Sequence, residues 1–187
     1  MNKEQSLALY RQGREAWNVW AAQQINAIDE FGAPRNWDET ATADFAGCDF
    51  KEDANFSGFK FPGLAKFNQA NFSGSAVFED VSFCRDAMFY SVKFDGAAKF
   101  ANSTFDAAAR FEGATFVGVA RFVGATFTGA ARFNGATFKT SARFSNTTFV
   151  GAVRFEGTNF FGDAWFTPAI FESFSDFRNV RFRHVAD

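Results

Sequence analysis

With 187 residues, 19 Lys and Arg against 21 Asp and Glu, and a formal net charge of −2, the chain has neither the basic surplus of a general nucleic-acid binder nor an acidic tail. No run approaches the roughly 18 consecutive apolar residues of a membrane span, and the N-terminus lacks the apolar stretch of a secretion signal, so the default compartment is cytoplasmic. In that reducing setting Cys48 and Cys84 are expected to be free thiols.

Residues 1–42 are expected to form a helical cap and linker. Leu7, Tyr10, Trp17, Trp20, Ala21 and Ile28 recur at roughly helical spacing across residues 3–30, with Lys3, Glu4, Arg11 and Glu15 beside that stripe. Gly32 and Pro34 are expected to end the helix, and residues 33–42 to lead onward.

From residue 43 the rhythm changes. A Phe recurs after alternating steps of five and six residues from Phe45 through Phe182, which accounts for 26 of the 30 phenylalanines. Two residues before each stands a small residue, Ala in 16 of the 26 cases, with Cys48 and Phe59 among the exceptions. Side chains at i and i+2 share a face only in an extended strand, so Ala-x-Phe reads as a short strand with two groups pointing inward. All 13 glycines between residues 45 and 182 fall two positions after a ladder Phe, where a corner is needed.

A helical supercoil is the competing reading of an 11-residue period. At about 100° per residue, however, a helix would put each Ala and its own Phe on nearly opposite faces, and Gly at this density opposes helix further. What remains is a coil of short strands stacked in register, each burying its apolar side against its neighbours. The first coil would expose Phe, and the amphipathic N-terminal segment is expected to cover it, the alternative being a helix that binds another protein.

Runs such as ARFEG-ATFVG at 109–118 and ARFNG-ATFKT at 131–140 repeat a small residue, a variable residue, a central Phe and two turn residues. In this the sequence resembles the pentapeptide-repeat proteins over about residues 43–183, and Trp17-Asn18-Val19-Trp20 looks like a leader helix found ahead of such repeats. The resemblance implies an all-β solenoid, a right-handed quadrilateral β-helix whose four faces make one coil. Alternating steps of five and six would give 22 residues per coil and about six coils, longer per coil than the family's usual form. The inserted residues Val119, Ala130, Ser141 and Ala152 are expected to widen corners on two opposite edges, and residues 184–187 form a tail.

The coils from Phe45 to Phe94 carry outward acids, including Asp49, Glu52, Asp53, Glu79, Asp80 and Asp86. Residues 97–157 are more regular and locally basic, with seven basic side chains to three acidic. Just before each Phe stand Lys99, Arg110, Arg121, Arg132, Arg143 and Arg154 on one class of face, alternating with Thr104, Thr115, Thr126, Thr137 and Thr148 on the other. A 22-residue coil would stack Arg110, Arg132 and Arg154 on one face and Arg121 and Arg143 on the opposite one. Neighbours in a column would lie about 4.8 Å apart.

In the last coil Phe161, Trp165, Ile170 and Phe174 fall at outward or corner positions, and no second amphipathic helix follows Phe182. Apolar groups beside an uncovered coil mark an interface. A homodimer stacked end to end is the economical expectation, and the resemblance points the same way. A chain cut from a longer protein would carry the same pattern.

No catalytic set is visible. His184 is the only histidine, so a His-based triad or a multi-His metal site within one chain is excluded, and no phosphate loop of the form GxxxxGKS or GxxxxGKT occurs. No enzymatic activity, cofactor, small-molecule substrate or membrane partner is expected. Three readings of the surface remain. The first, and preferred, is a rigid scaffold for protein–protein interaction with an unidentified partner. The second follows the quinolone-resistance members that the family includes, which mimic duplex DNA and bind DNA gyrase; that mimicry needs a negative rod, whereas the central slots here hold mostly Arg, Lys and Thr. The third is a polyanion on the Arg columns or ice on the Thr columns. Only Thr126-Phe127-Thr128 gives the paired Thr of a flat ice-matching strand, and Arg columns without aromatic partners are a weak nucleic-acid signal. Thr and Arg also suit exposed strand surface for solubility alone.

Overall fold

Residues 1–25 and 41–183 are described by the computed structural model of the chain. Two helices, α1 (Lys3–Arg11) and α2 (Arg14–Ile25), precede 26 two-residue strands that wind into four parallel sheets, the faces of a four-sided tube. Face 1 runs from Ala43–Asp44 to Ser175–Asp176 and face 2 from Asp49–Phe50 to Arg181–Phe182. Face 3 runs from Ala54–Asn55 to Ala164–Trp165 and face 4 from Lys60–Phe61 to Ile170–Phe171. Strands pair at a constant offset, Ala43 with Ala65 and Ala109 with Ala131, so each coil takes 22 residues and the Phe ladder lines the axis.

Rings from one face stack in parallel along the axis. Phe100, Phe122 and Phe144 follow one another at 5.0 and 4.9 Å with planes within 3°. Rings from faces 1 and 3 meet edge to face, as Phe111 does Phe122 at 5.5 Å and 88°. Edge-to-face contact sets the positive ring edge against the negative face of its neighbour. The rings leave room for little else, which is why the other inward slot holds Ala109, Ala120 or Ala131, all fully buried. Where that slot is polar, the hydroxyl is satisfied: Thr147 donates to the Phe122 carbonyl at 2.8 Å and Thr158 to that of Phe133 at 2.7 Å.

The two step lengths make two kinds of corner, and glycine serves them differently. In the five-residue corner the second residue takes a left-handed φ, +65° at Gly135, and Asn102 and Asn146 hold the same place at +57° and +56°. In the six-residue corner the need is closeness. A methyl on Gly118 would lie 2.5 Å from the carbonyl carbon of Gly96 in the preceding coil. These wide corners join face 2 to face 3 and face 4 to face 1, two opposite edges, and contain Val119, Ala130, Ser141 and Ala152.

The single helix expected over residues 3–30 is instead two. Gly13, at φ +91°, closes α1 by donating its N–H to the Tyr10 carbonyl at 3.0 Å, and the chain turns before α2 begins. Both helices cover the first coil. The buried Trp17 ring lies against Phe45, Phe59 and Phe61, so Phe59, which occupies a small-residue slot, fills the space where cap and coil meet. The cap also completes the first strand edges. Asn18 accepts from the Lys60 N–H and donates to the Gly58 carbonyl, both at 2.9 Å, while the Trp17 indole donates to the Lys60 carbonyl at 2.8 Å. The Ser6 hydroxyl accepts from the Asp44 N–H at 2.9 Å and the Tyr10 hydroxyl from the Asn55 N–H at 3.1 Å. Side chains thus stand in for a preceding coil on faces 1, 3 and 4. The expected helix stop at Gly32 and Pro34, and the tail with His184, lie outside the described residues.

Candidate interaction surfaces

The two Arg columns differ in their electrical surroundings. On face 1, Arg110, Arg132 and Arg154 stand in register, followed by Asp176. Glu112 lies between the first two, its carboxylate 3.1 Å from Arg110 and 3.9 Å from Arg132. Arg178 bridges Asp176 at 2.7 Å and Glu156 at 3.8 Å. The Arg178 guanidinium hydrogen-bonds Asp176 and holds its carboxyl at about 2, below the ordinary 3.8. Face 1 therefore carries carboxylates of its own among the guanidinium groups.

On face 3, Lys99, Arg121 and Arg143 stand in register and Trp165 ends the column. The Arg143 guanidinium lies 4.7 Å above the Trp165 ring, a cation–π contact. Among the described residues no carboxylate pairs with these three cations. The Thr columns separate onto two faces: Thr115 and Thr137 on face 2, Thr104, Thr126 and Thr148 on face 4, all half-buried.

The last coil leaves several rings uncovered. Trp165, Ile170 and Phe174 are 46%, 55% and 58% exposed, while Phe161 is half-buried with the Arg183 guanidinium 5.2 Å over its ring. The ladder also departs here from the buried axis its period predicts, since Phe171, Phe177 and Phe182 are exposed. Their rings stack on Phe149, Phe155 and Phe160 of the preceding coil, but no described strand pairs with the outer edges of Ala164–Trp165, Ile170–Phe171, Ser175–Asp176 or Arg181–Phe182. Position within the repeat gives no sign of this, because exposure depends on whether a coil follows.

A family model described as pentapeptide repeats, nine copies long, matches residues 56–104, 89–137 and 122–170. The chain belongs to the pentapeptide-repeat family. No curated protein and no solved structure matches it. The matches together span residues 56–170, while the Phe ladder itself runs unbroken from Phe45 to Phe182. Within this pentapeptide-repeat rod Cys48 is buried and Cys84 half-buried, both as free thiols, and burial pushes both up from the ordinary thiol value. Among the described residues no group of His, Cys, Asp and Glu side chains could hold a metal ion, and no helix is long and apolar enough to cross a membrane.

Proposed function

We propose that this pentapeptide-repeat chain is a rigid, non-enzymatic scaffold for protein–protein interaction, working in the cytoplasm and paired with a second copy through its C-terminal coil. The observation that carries the reading is the contrast between the two ends of the rod. The first coil has its strand edges on faces 1, 3 and 4 met by Ser6, Tyr10 and Asn18, and Trp17 packs on its rings. The last has four strand edges without a described partner and exposes Phe171, Phe177 and Phe182 beside Trp165, Ile170 and Phe174. Unpaired edges and apolar rings in one place favour stacking on a like surface, which a second copy supplies by two-fold symmetry. Two rods joined this way make a longer stiff body whose flat faces offer extended binding surface without a pocket. A DNA-mimic reading has less support, because guanidinium columns stand on faces 1 and 3 over the central coils.

Light scattering tests the pairing. The wild-type chain is expected at the mass of a dimer, and Trp165→Arg or Phe174→Arg at that of a monomer; a monomeric wild type, or variants that keep the dimer mass, would refute it. The scaffold role is tested by affinity capture with the wild-type rod from its source cells, where failure to retain any protein counts against it.

A further inference from the structure

We infer that face 3 is a docking strip for a short acidic segment of another protein, held in extended conformation along the Lys99–Arg121–Arg143 column. The inference rests on the scaffold reading and names the chemistry of one partner.

The first support is the difference between the two basic columns. Both present guanidinium groups at the rung spacing of about 4.8 Å. On face 1 the residue two places after Arg110 and Arg154 is Glu112 or Glu156, and the ion pairs bridge the coils. On face 3 the equivalent places after Lys99, Arg121 and Arg143 hold Ala101, Val123 and Ser145. Of three equivalent crossings of this face, residues 95–102, 117–124 and 139–146, the last two contain no acid and the first contains only Asp95. At the corner leading in from face 2, Asp95 is already paired with Lys93 at 2.8 Å. A solubility role would be served equally by paired charges, as on face 1. Three cations stacked with no counter-charge repel one another, and a ligand that brings carboxylates relieves that repulsion.

The second support is the length of the strip, which selects the class of partner. It spans two rungs, about 10 Å. Glu79 and Asp80 stand at the corner after Val77 at one end, and Asp163 precedes Trp165 at the other. A nucleic-acid backbone carries charge continuously and would run onto these carboxylates, and the strip offers no row of aromatic rings on which bases could stack. An extended peptide fits better. Its alternate side chains point one way at roughly 6.6 Å spacing, so two or three acids cover the cations before the chain leaves the strip. The flanking Ala, Val and Ser side chains are short enough to let a backbone lie close.

The test uses the full-length chain and a fluorescein-labelled peptide with glutamate at alternate positions, read by anisotropy at low salt, beside an oligothymidylate of equal charge. The peptide is expected to bind the wild-type chain, to weaken as salt rises, and to lose about ten-fold or more in affinity with Arg121→Glu plus Arg143→Glu. Arg132→Glu on face 1 should change binding by less than about two-fold. Arg121→Gln plus Arg143→Gln, which adds no repulsion, should give an intermediate loss at an unchanged melting temperature. Absence of peptide binding, equal or tighter binding of the oligothymidylate, or equal losses from the two faces would each overturn the inference. A wild-type chain that captures a cellular partner and keeps it after the double reversal would also overturn it, while leaving the scaffold reading intact.

Discussion

Truncating Phe122 to Ala removes a ring from the middle of the rod, and the geometry around it fixes the size of the effect. The side chain is fully buried, stacked between Phe100 and Phe144 and edge-on to Phe111 and Phe133. Phe→Ala in a core costs about 3–5 kcal/mol, more where the surroundings cannot relax into the void. Here each neighbouring ring is pinned by a strand in register above and below it, so a value near about 4–5 kcal/mol is expected. Phe182→Ala is the control, with every variant made in the Phe174→Arg chain so that pairing through the last coil does not cover the ring. The residue is a ladder Phe of face 2, but it is 62% exposed and has one stacked neighbour, Phe160 at 5.2 Å. Burial of roughly a third of a side chain worth about 1.5–3 kcal/mol makes that loss about 1 kcal/mol or less. Urea denaturation followed by tryptophan fluorescence measures both, because Trp17 and Trp165 lie at opposite ends of the described coils. With a slope of about 2 kcal/mol per molar urea, the Phe122→Ala midpoint should fall by roughly 2 M and that of Phe182→Ala by about 0.5 M. Phe100→Ala and Phe144→Ala should match Phe122→Ala, since the repeat places all three alike. A Phe122→Ala loss below about 1.5 kcal/mol, or equal losses at Phe122 and Phe182, would refute a ring-filled axis.

Asn18→Ala is expected to cost about 1 kcal/mol by leaving the Lys60 N–H and the Gly58 carbonyl without their cap partners. Amide exchange should quicken at Lys60 and stay unchanged at Phe122. Gly118→Ala should destabilise the rod by about 1–3 kcal/mol through contact with the preceding coil, whereas Gly135→Asn should cost less than about 1 kcal/mol, because Asn102 and Asn146 already hold that corner. Thermal melts that rank these two the other way would overturn the distinction between the corners. Asp176 has its folded value lowered to about 2 from 3.8, so its ion pair with Arg178 stabilises fully above the unfolded value and is lost as pH falls through the folded one. The stability gap between wild type and Asp176→Asn should therefore shrink between about pH 4 and pH 2 and vanish only below the folded value, and a gap as large at about pH 2 as at about pH 6 would contradict the assignment.

What the sequence by itself determined is everything that repeats. Whether a side chain points inward or outward in a two-residue strand depends only on its place in the period, so the Phe ladder, the coil length, the opposed Arg columns and the wide corners can all be read from residue spacing. Even the contrast between Glu112 and Val123, each two residues past an Arg, is local. The tertiary structure decided what happens where translation along the rod fails. The break at Gly13 lets α1 and α2 lie over different parts of one coil, and the use of Ser6, Tyr10 and Asn18 as strand-edge partners depends on side chains meeting backbone about 40 residues away. Glycine's second role at Gly118 is hidden because the clash it avoids lies one coil back. The exposure of Phe171, Phe177 and Phe182 and the stacking of Arg143 on Trp165 likewise depend on a neighbour 22 residues distant, present in one case and not described in the other. A repeat encodes its interior in each unit, whereas its ends and the pairing of its charges are properties of units brought together.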